Sequence, residues 1–324
     1  MLSNEIHDVV FYTRFGIGVS DRRWMDYRIA LFEAVTLPSI ARFCAQGAQW
    51  FIFTDLWMDL ERQTRMEQAL RRVEGSENIR LVPLPLAAYL APTLGQFVRD
   101  RDQVSLVRID DDDALSSSYF DLVPSGPGLV TVAGGLEALL SERTMRPMDH
   151  PYHSMNTVFT GPPEQAAEFA RVGHHRIEEW GKKVKARITV VEKKAPGFLY
   201  ARHKLADSGF GSIRHTIVTD EASTPLTDGW RRRFGIDEEL FQNWRALDRA
   251  TPPLSEAKTW LRGGELLDEA QRITQDMATV HAGIRESTAD LLADQKGGAP
   301  APQAQQTPTL TGRARSFLRR TRDR

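Results

Sequence analysis

Only one cysteine, Cys44, occurs in the 324 residues. That excludes an intrachain disulfide, and its apolar, helix-like setting marks a buried spectator thiol rather than a nucleophile. Long apolar runs are missing too; none approaches the ~20 residues a membrane-spanning helix needs. Charge of one sign is not in excess. Forty-two Lys and Arg face 43 Asp and Glu, for a formal net charge of −1, so bulk electrostatics give no case for a nucleic-acid partner. No repeat of roughly 20–50 residues stands out. His150, His153, His174 and His175 fall at no spacing that suits zinc. The opening Met-Leu-Ser-Asn-Glu-Ile-His-Asp has neither a basic n-region nor an apolar h-region. No secretory leader is therefore expected, and the expected location is cytoplasmic.

What is present is an alternation of strand and helix patterns. Val9 to Phe15, Trp50 to Thr54, Ile79 to Leu84 and Ser105 to Ile109 read as four strands, rich in β-branched and aromatic residues. Between the first two, an apolar face of Trp24, Ile29, Leu31, Phe32 and Val35 predicts a helix from Asp21 that stops before Pro38. Residues 59–73 predict a charged amphipathic helix. Further on come strand-like Leu129 to Ala133, helix-like 164–182, and strand-like Ala186 to Val191 and Phe198 to Ala201. Gly134-Gly135 reads as a turn before a helix-like Leu-Glu-Ala-Leu-Leu. The order predicts an α/β protein of the Rossmann-related kind, a mixed but mainly parallel sheet flanked by helices.

The fourth strand ends in Asp110-Asp111-Asp112-Asp113. Like charges ~4 Å apart repel by about 4 kcal/mol at an effective dielectric of 20, so this run calls for a cation. Hard Mn²⁺ or Mg²⁺ suits carboxylate oxygens and is commonly completed by substrate phosphates. In an extended chain Asp110 and Asp112 would point to one side and Asp111 and Asp113 to the other. Ligands of α/β sheets gather at strand carboxyl ends, where Thr13-Arg14 and Thr54-Asp55 also terminate strands. Arg14 has the guanidinium geometry for a diphosphate. His203, after the Phe198 to Arg202 run, reads equally as a hydrogen-bonded structural histidine or as a ligand that completes a metal shell, with Arg202 or Lys204 beside the phosphates.

From about residue 216 the pattern turns helical, in segments 236–247 and 255–292. Residues 296–309 are rich in Pro, Gly, Ala and Gln and predict a disordered linker. The last segment carries six arginines, Phe317 and Leu318. It reads either as a solvated tail or as a peripheral contact with the inner face of a membrane. The expected division is 1–215, a helical appendage 216–293, and a linker with basic tail 294–324.

Tyr12-Thr13-Arg14-Phe15, Trp24, Arg28, Leu31-Phe32-Glu33, Leu37-Pro38-Ser39, Trp50 to Asp55 and Arg108 to Leu115 together resemble the bacterial "putative rhamnosyltransferase" family. The resemblance is specific over the first 120 residues or so and loose to about residue 215. It implies a GT-A type glycosyltransferase taking a nucleotide-sugar donor and a glycan or other hydroxyl acceptor, with a divalent metal held by an Asp-x-Asp motif. Carried over, Asp110 and Asp112 form the motif, Asp113 supports it and His203 completes it. Thr13, Arg14, Thr54, Asp55, Asp110, Asp111 and Arg202 would then face the donor. An inverting reaction would need a base, for which Asp149, Glu137 and Asp207 are candidates. Two other classes fit the acidic run less well. A haloacid-dehalogenase-type phosphohydrolase wants Thr or Val where Ala114 stands. A non-catalytic metal or carbohydrate-binding module is the other; as an EF-hand the run would need Gly and Glu where Leu115 and Asp121 stand.

Overall fold

The computed structural model describes residues 6–19, 21–173, 176–192, 196–206 and 224–251. All of them lie in the first of two units, Met1–Gly263. Segment 255–292, the linker, the basic tail, His174-His175 and Asp207 fall outside the described residues. Among those described, no helix is long and apolar enough to cross a membrane.

The first third alternates as expected: β1 (Val9–Phe15), α1 (Arg22–Ala34), α2 (Thr36–Cys44), β2 (Gln49–Asp55), α3 (Leu60–Arg71), β3 (Ile79–Leu84), α4 (Leu90–Val98) and β4 (Val104–Arg108). Side chains start the helices: Asp21 accepts the Arg23 and Trp24 N–H groups of α1, and Asp59 that of Arg62 in α3. The helix expected to stop before Pro38 instead breaks at Val35, and α2 begins at Thr36. Pro38 sits in the first turn of α2, where an N–H would have no partner anyway.

After β4 come β5 (Ala114–Leu115), α5 (Tyr119–Leu122), β6 (Gly128–Val132), β7 (Gly134–Leu139), β8 (Thr144–Asp149) and β9 (Thr157–Gly161). Then follow α6 (Pro163–Phe169), α7 (Ile177–Lys183), β10 (Ile188–Val191), β11 (Phe198–Arg202), β12 (Thr224–Pro225), α8 (Asp228–Phe234) and α9 (Glu238–Ala250). Seven strands form one sheet in the order β10-β6-β9-β4-β1-β2-β3. Only β9 runs against the rest, so the sheet is mixed and mainly parallel. Both faces are covered. Phe11, Phe15, Trp50 and Ile52 pack with α1 and α2 residues on one side; Val10, Tyr12, Phe51 and Phe53 pack with Leu94, Phe159 and Trp180 on the other.

A second sheet has the order β12-β8-β7-β11-β5, and β7 corrects the helix expected after Gly134-Gly135. Leu136 to Leu139 are drawn into a strand by pairing on both sides, with β8 and with β11, and that tertiary pairing outweighs their helical propensity. The single helix expected over 164–182 is likewise two, α6 and α7. The chain passes from the centre of the first sheet (β4) to the edge of the second (β5) through Asp110–Asp113, so the acidic run is the crossing between sheets.

Gly135 lies opposite Phe198, and a Cβ there would sit 2.3 Å from the buried ring. Gly135→Ala should therefore destabilise the protein by about 1–3 kcal/mol through overpacking. The readout is a lowered urea midpoint at unchanged slope; an unmoved midpoint would show that the ring relaxes freely.

Candidate functional site

The acidic turn is pinned from both sides. Ile109 N–H still donates to Tyr12 of β1, and Asp113 N–H then closes a turn onto the Asp110 carbonyl. Leu115 N–H donates to Ser39 Oγ of α2 at 2.9 Å. Asp113 Oδ1 accepts the Ala201 N–H at 2.9 Å, extending the β5–β11 ladder with a side chain. Because the segment turns, the alternation of an extended strand gives way, and each carboxylate meets a different neighbour.

Asp110 takes the Arg108 guanidinium at 2.8 Å. Asp111 is gripped by both Nε and Nη2 of Arg28, a residue 2% exposed. Nη1 of the same arginine reaches Asp112 Oδ2 at 3.0 Å, and His203 Nε2 lies 3.0 Å from that oxygen. His203 Nδ1 accepts the Leu205 N–H, which puts the ring proton on Nε2. Two donors, Nη1 and Nε2, thus converge on one carboxylate oxygen, which accounts for their 3.1 Å separation. Asp113 Oδ2 is buried with no hydrogen-bond partner. Burial pushes the Asp113 carboxyl well above the usual carboxylate range, and the charges of Asp112 and Asp110 add to it. Burial also raises Asp112, against the opposing pull of Arg28. The turn is therefore short of positive charge.

Around it lies a cavity of about 300 Å³, lined also by Arg14, Arg108, His153, Tyr200 and Ala206. Arg14 and Arg108 also line a neighbouring cavity of about 590 Å³ between β1, the start of α4 and residues 170–173. Arg14 is exposed. Thr13 faces the other way and accepts Trp50 Nε1 at 2.9 Å. Thr54 and Asp55 are buried at the end of β2. Asp55 accepts the N–H groups of Gly18 and Trp57 at 2.6 and 2.8 Å, so it ties two loops at the sheet edge. Arg202 turns toward Glu137, whose fully buried carboxylate also holds Arg146 at 2.5 Å. Asp149 ends β8 opposite Gly134, and neither it nor Glu137 lines the carboxylate cavity. Lys204 Nζ donates to the Asp248 carbonyl at the end of α9.

Sequence reasoning gave Arg28 no role of its own, although it holds the turn. Its signal is there: a lone arginine among Trp24, Tyr27, Ile29 and Leu31, on the buried face of α1. Tyr27 is similar; its hydroxyl donates to Asp248 at 2.9 Å and its ring packs against His203. His153, noted only for failing a zinc spacing, is a cavity wall.

Among the described residues no three His, Cys, Asp or Glu side chains group so as to hold a metal ion by themselves. Magnesium-class ions are, however, usually held by one or two carboxylates plus water and substrate phosphates. The buried, unpartnered Asp113 Oδ2 beside Asp112 and the all-oxygen donors fit that mode. They do not fit a closed protein cage, and His203, as hydrogen-bonded here, presents Asp112 with a proton rather than a lone pair.

Residues 19–123 match the model of the family described as "Putative rhamnosyl transferase", so the resemblance carried by the first 120 residues is found again over that stretch. No curated protein matches the chain. Two solved structures of the galactosyltransferase LgtC are similar, one with donor and acceptor sugar analogs and one an active-site mutant. Each is 13% identical over 76% of this chain and 97% of its own, with a TM-score of 0.29.

Arg28→Ala should cost about 3–5 kcal/mol, because it strands two buried carboxylates; chemical denaturation measures it, and a loss under 1 kcal/mol would remove Arg28 from its central position. Asp113 tests the sign of the charge imbalance. Its folded pKa lies above the unfolded one, so its stabilising effect is complete below about pH 4 and is lost as pH rises through the folded value. Asp113→Asn without metal should raise Tm at neutral pH by a few degrees and flatten its fall above pH 4. A lower Tm at every pH would mean that the carboxylate is stabilising.

Proposed function

We propose that this chain is a metal-dependent glycosyltransferase that moves a sugar from a nucleotide-diphosphate donor to a hydroxyl of a glycan or other acceptor. The observation that carries the reading is the acidic turn at the carboxyl end of the central strand, short of cations and opening on an arginine-lined cavity. The family match over the same segment supports it, and its description suggests rhamnose as the donor sugar. Mn²⁺ or Mg²⁺ would be held by Asp112 and Asp113, with Asp110 beside them and His203 orienting Asp112. When bound, it would neutralise charge on the leaving diphosphate.

The chain's own residues supply the rest. Arg14 and Arg108 line both cavities and would hold phosphate oxygens, Arg14 from an exposed position. Guanidinium groups fixed toward charge that grows as the sugar–phosphate bond breaks stabilise the transition state more than the ground state. Arg28, buried at the cavity wall, keeps the turn rigid, so the carboxylates need not reorganise during the reaction. Glu137 is committed to Arg146 and Arg202, which suits a structural anchor better than a base. Of the other candidate bases, Asp149 lies at the end of β8 and Asp207 outside the described residues.

Asp112→Asn keeps an acceptor for Arg28 and His203 but removes the charge. It should lower Mn²⁺-dependent sugar transfer or donor hydrolysis by about 10²–10³, the usual effect of losing one well-placed electrostatic stabiliser, with little change in Tm. A fully active variant would sink the metal-site reading. For a phosphohydrolase, the wild-type protein would instead turn over phosphate monoesters and leave nucleotide sugars intact.

A further inference from the structure

A second charge imbalance, of opposite sign, lies where α8 meets the segment that follows β5. Arg231 is paired with Asp228 and Glu238. Among the described residues, no ion pair engages Arg42, Arg232 or Arg233. Arg42 Nη1 donates to the Arg233 carbonyl at 3.1 Å and Nη2 to that of Leu115. Ser117 N–H donates to the same Arg233 carbonyl at 2.9 Å, so backbone and guanidinium together cement α8 to residues 115–118. Arg233 stacks on the Trp230 ring at 5.7 Å. The Nε atoms of both Arg42 and Arg233 are buried without an acceptor. Burial alone draws Arg42 down to about 10, with no carboxylate acting against it. In front of this arrangement is an open cavity of about 590 Å³, lined by Ser117, Ser118, Trp230, Arg232 and Arg233.

We infer that this cavity binds a phosphate-class oxyanion, held by the guanidinium groups of Arg232 and Arg233 and the hydroxyls of Ser117 and Ser118. Two guanidinium groups lining one cavity match a dianion better than a monocarboxylate, and a tetrahedral oxyanion can take several donors at once. Arg42, from behind, adds charge and holds the wall in place. The cavity is separate from the acidic turn in chemistry but not remote from it. Ser118 is five residues from Asp113, at most about 18 Å along an extended chain. The anion can come from a soluble phosphorylated molecule or from the headgroup of an anionic lipid; the recognising chemistry is the same.

The test uses the full chain in EDTA, so that no metal can bring phosphate to the acidic turn. Inorganic phosphate is titrated against chloride at constant ionic strength, with Tm and calorimetric heat as readouts. Wild-type protein should show saturable stabilisation by phosphate over chloride. Arg232→Gln, at an exposed position, and Arg232→Gln/Arg233→Gln should weaken it by about tenfold or more, since each removes charge-assisted hydrogen bonds to the anion. Asp112→Asn should leave it unchanged. The source is then read from competition: vesicles of anionic phosphatidylglycerol that displace phosphate, where phosphatidylcholine vesicles do not, identify a lipid headgroup. Failure of both to displace it identifies a soluble ligand. No phosphate-specific stabilisation of the wild type, or equal stabilisation of the double variant, overturns the inference.

Discussion

The site depends on one buried guanidinium. Arg28 closes on Asp111 through two nitrogens and reaches Asp112 with a third. Without it, adjacent carboxylates at the end of a central strand would repel by several kcal/mol and be driven toward solvent or protonation. Its own burial is offset by two carboxylates and the Leu205 carbonyl, which accept from its N–H groups, and by the Trp24 ring against its face. An ion pair of this kind need not add net stability over an apolar replacement. What it fixes is geometry, since the acidic turn cannot rotate while Arg28 is held by α1.

The rest of the architecture arranges partners around that contact. Asp21 starts α1 at the right point, and α9 locks it through Tyr27 and Asp248. The crossing from β4 to β5 forces the chain to turn at Asp110–Asp113, and Ser39 and Ala201 hold the far side of the turn. Arg28 and Arg108 together satisfy Asp110, Asp111 and Asp112, which leaves Asp113 Oδ2 as the unmet acceptor. The negative excess is therefore local, buried and rigid, which suits the cation proposed for it.

Much of the frame was legible in the sequence because it rests on local signals. The four parallel strands show as β-branched and aromatic runs, and the aspartates stand out because so many like charges at a strand end need a reason. The helix expected after Gly134-Gly135 failed for a tertiary cause: β8 and β11 claim Leu136 to Leu139 from both sides. Arg28 and Tyr27 were hard to read because their roles are set by residues 83 and 221 positions away, and His153 because its place depends on Tyr200 and the acidic turn, which only the fold brings beside it. The tie between Glu137, Arg146 and Arg202 is equally invisible until β7, β8 and β11 are side by side, and it turns Arg202 away from the role its neighbours suggested.

The most direct measurement is the thermal stability of the full chain with UDP, GDP, dTDP and CMP, each with Mn²⁺ and with EDTA. A site that takes its cation together with a diphosphate should respond to the pair beyond the sum of either alone. At a ligand concentration of about 100 Kd the gain is roughly 2.7 kcal/mol, well within reach of a melting curve. One nucleoside diphosphate should raise Tm strongly with Mn²⁺ and little in EDTA. A shift that is the same with and without metal, or no shift with any nucleotide, would contradict the assignment of the acidic turn as a metal–diphosphate site.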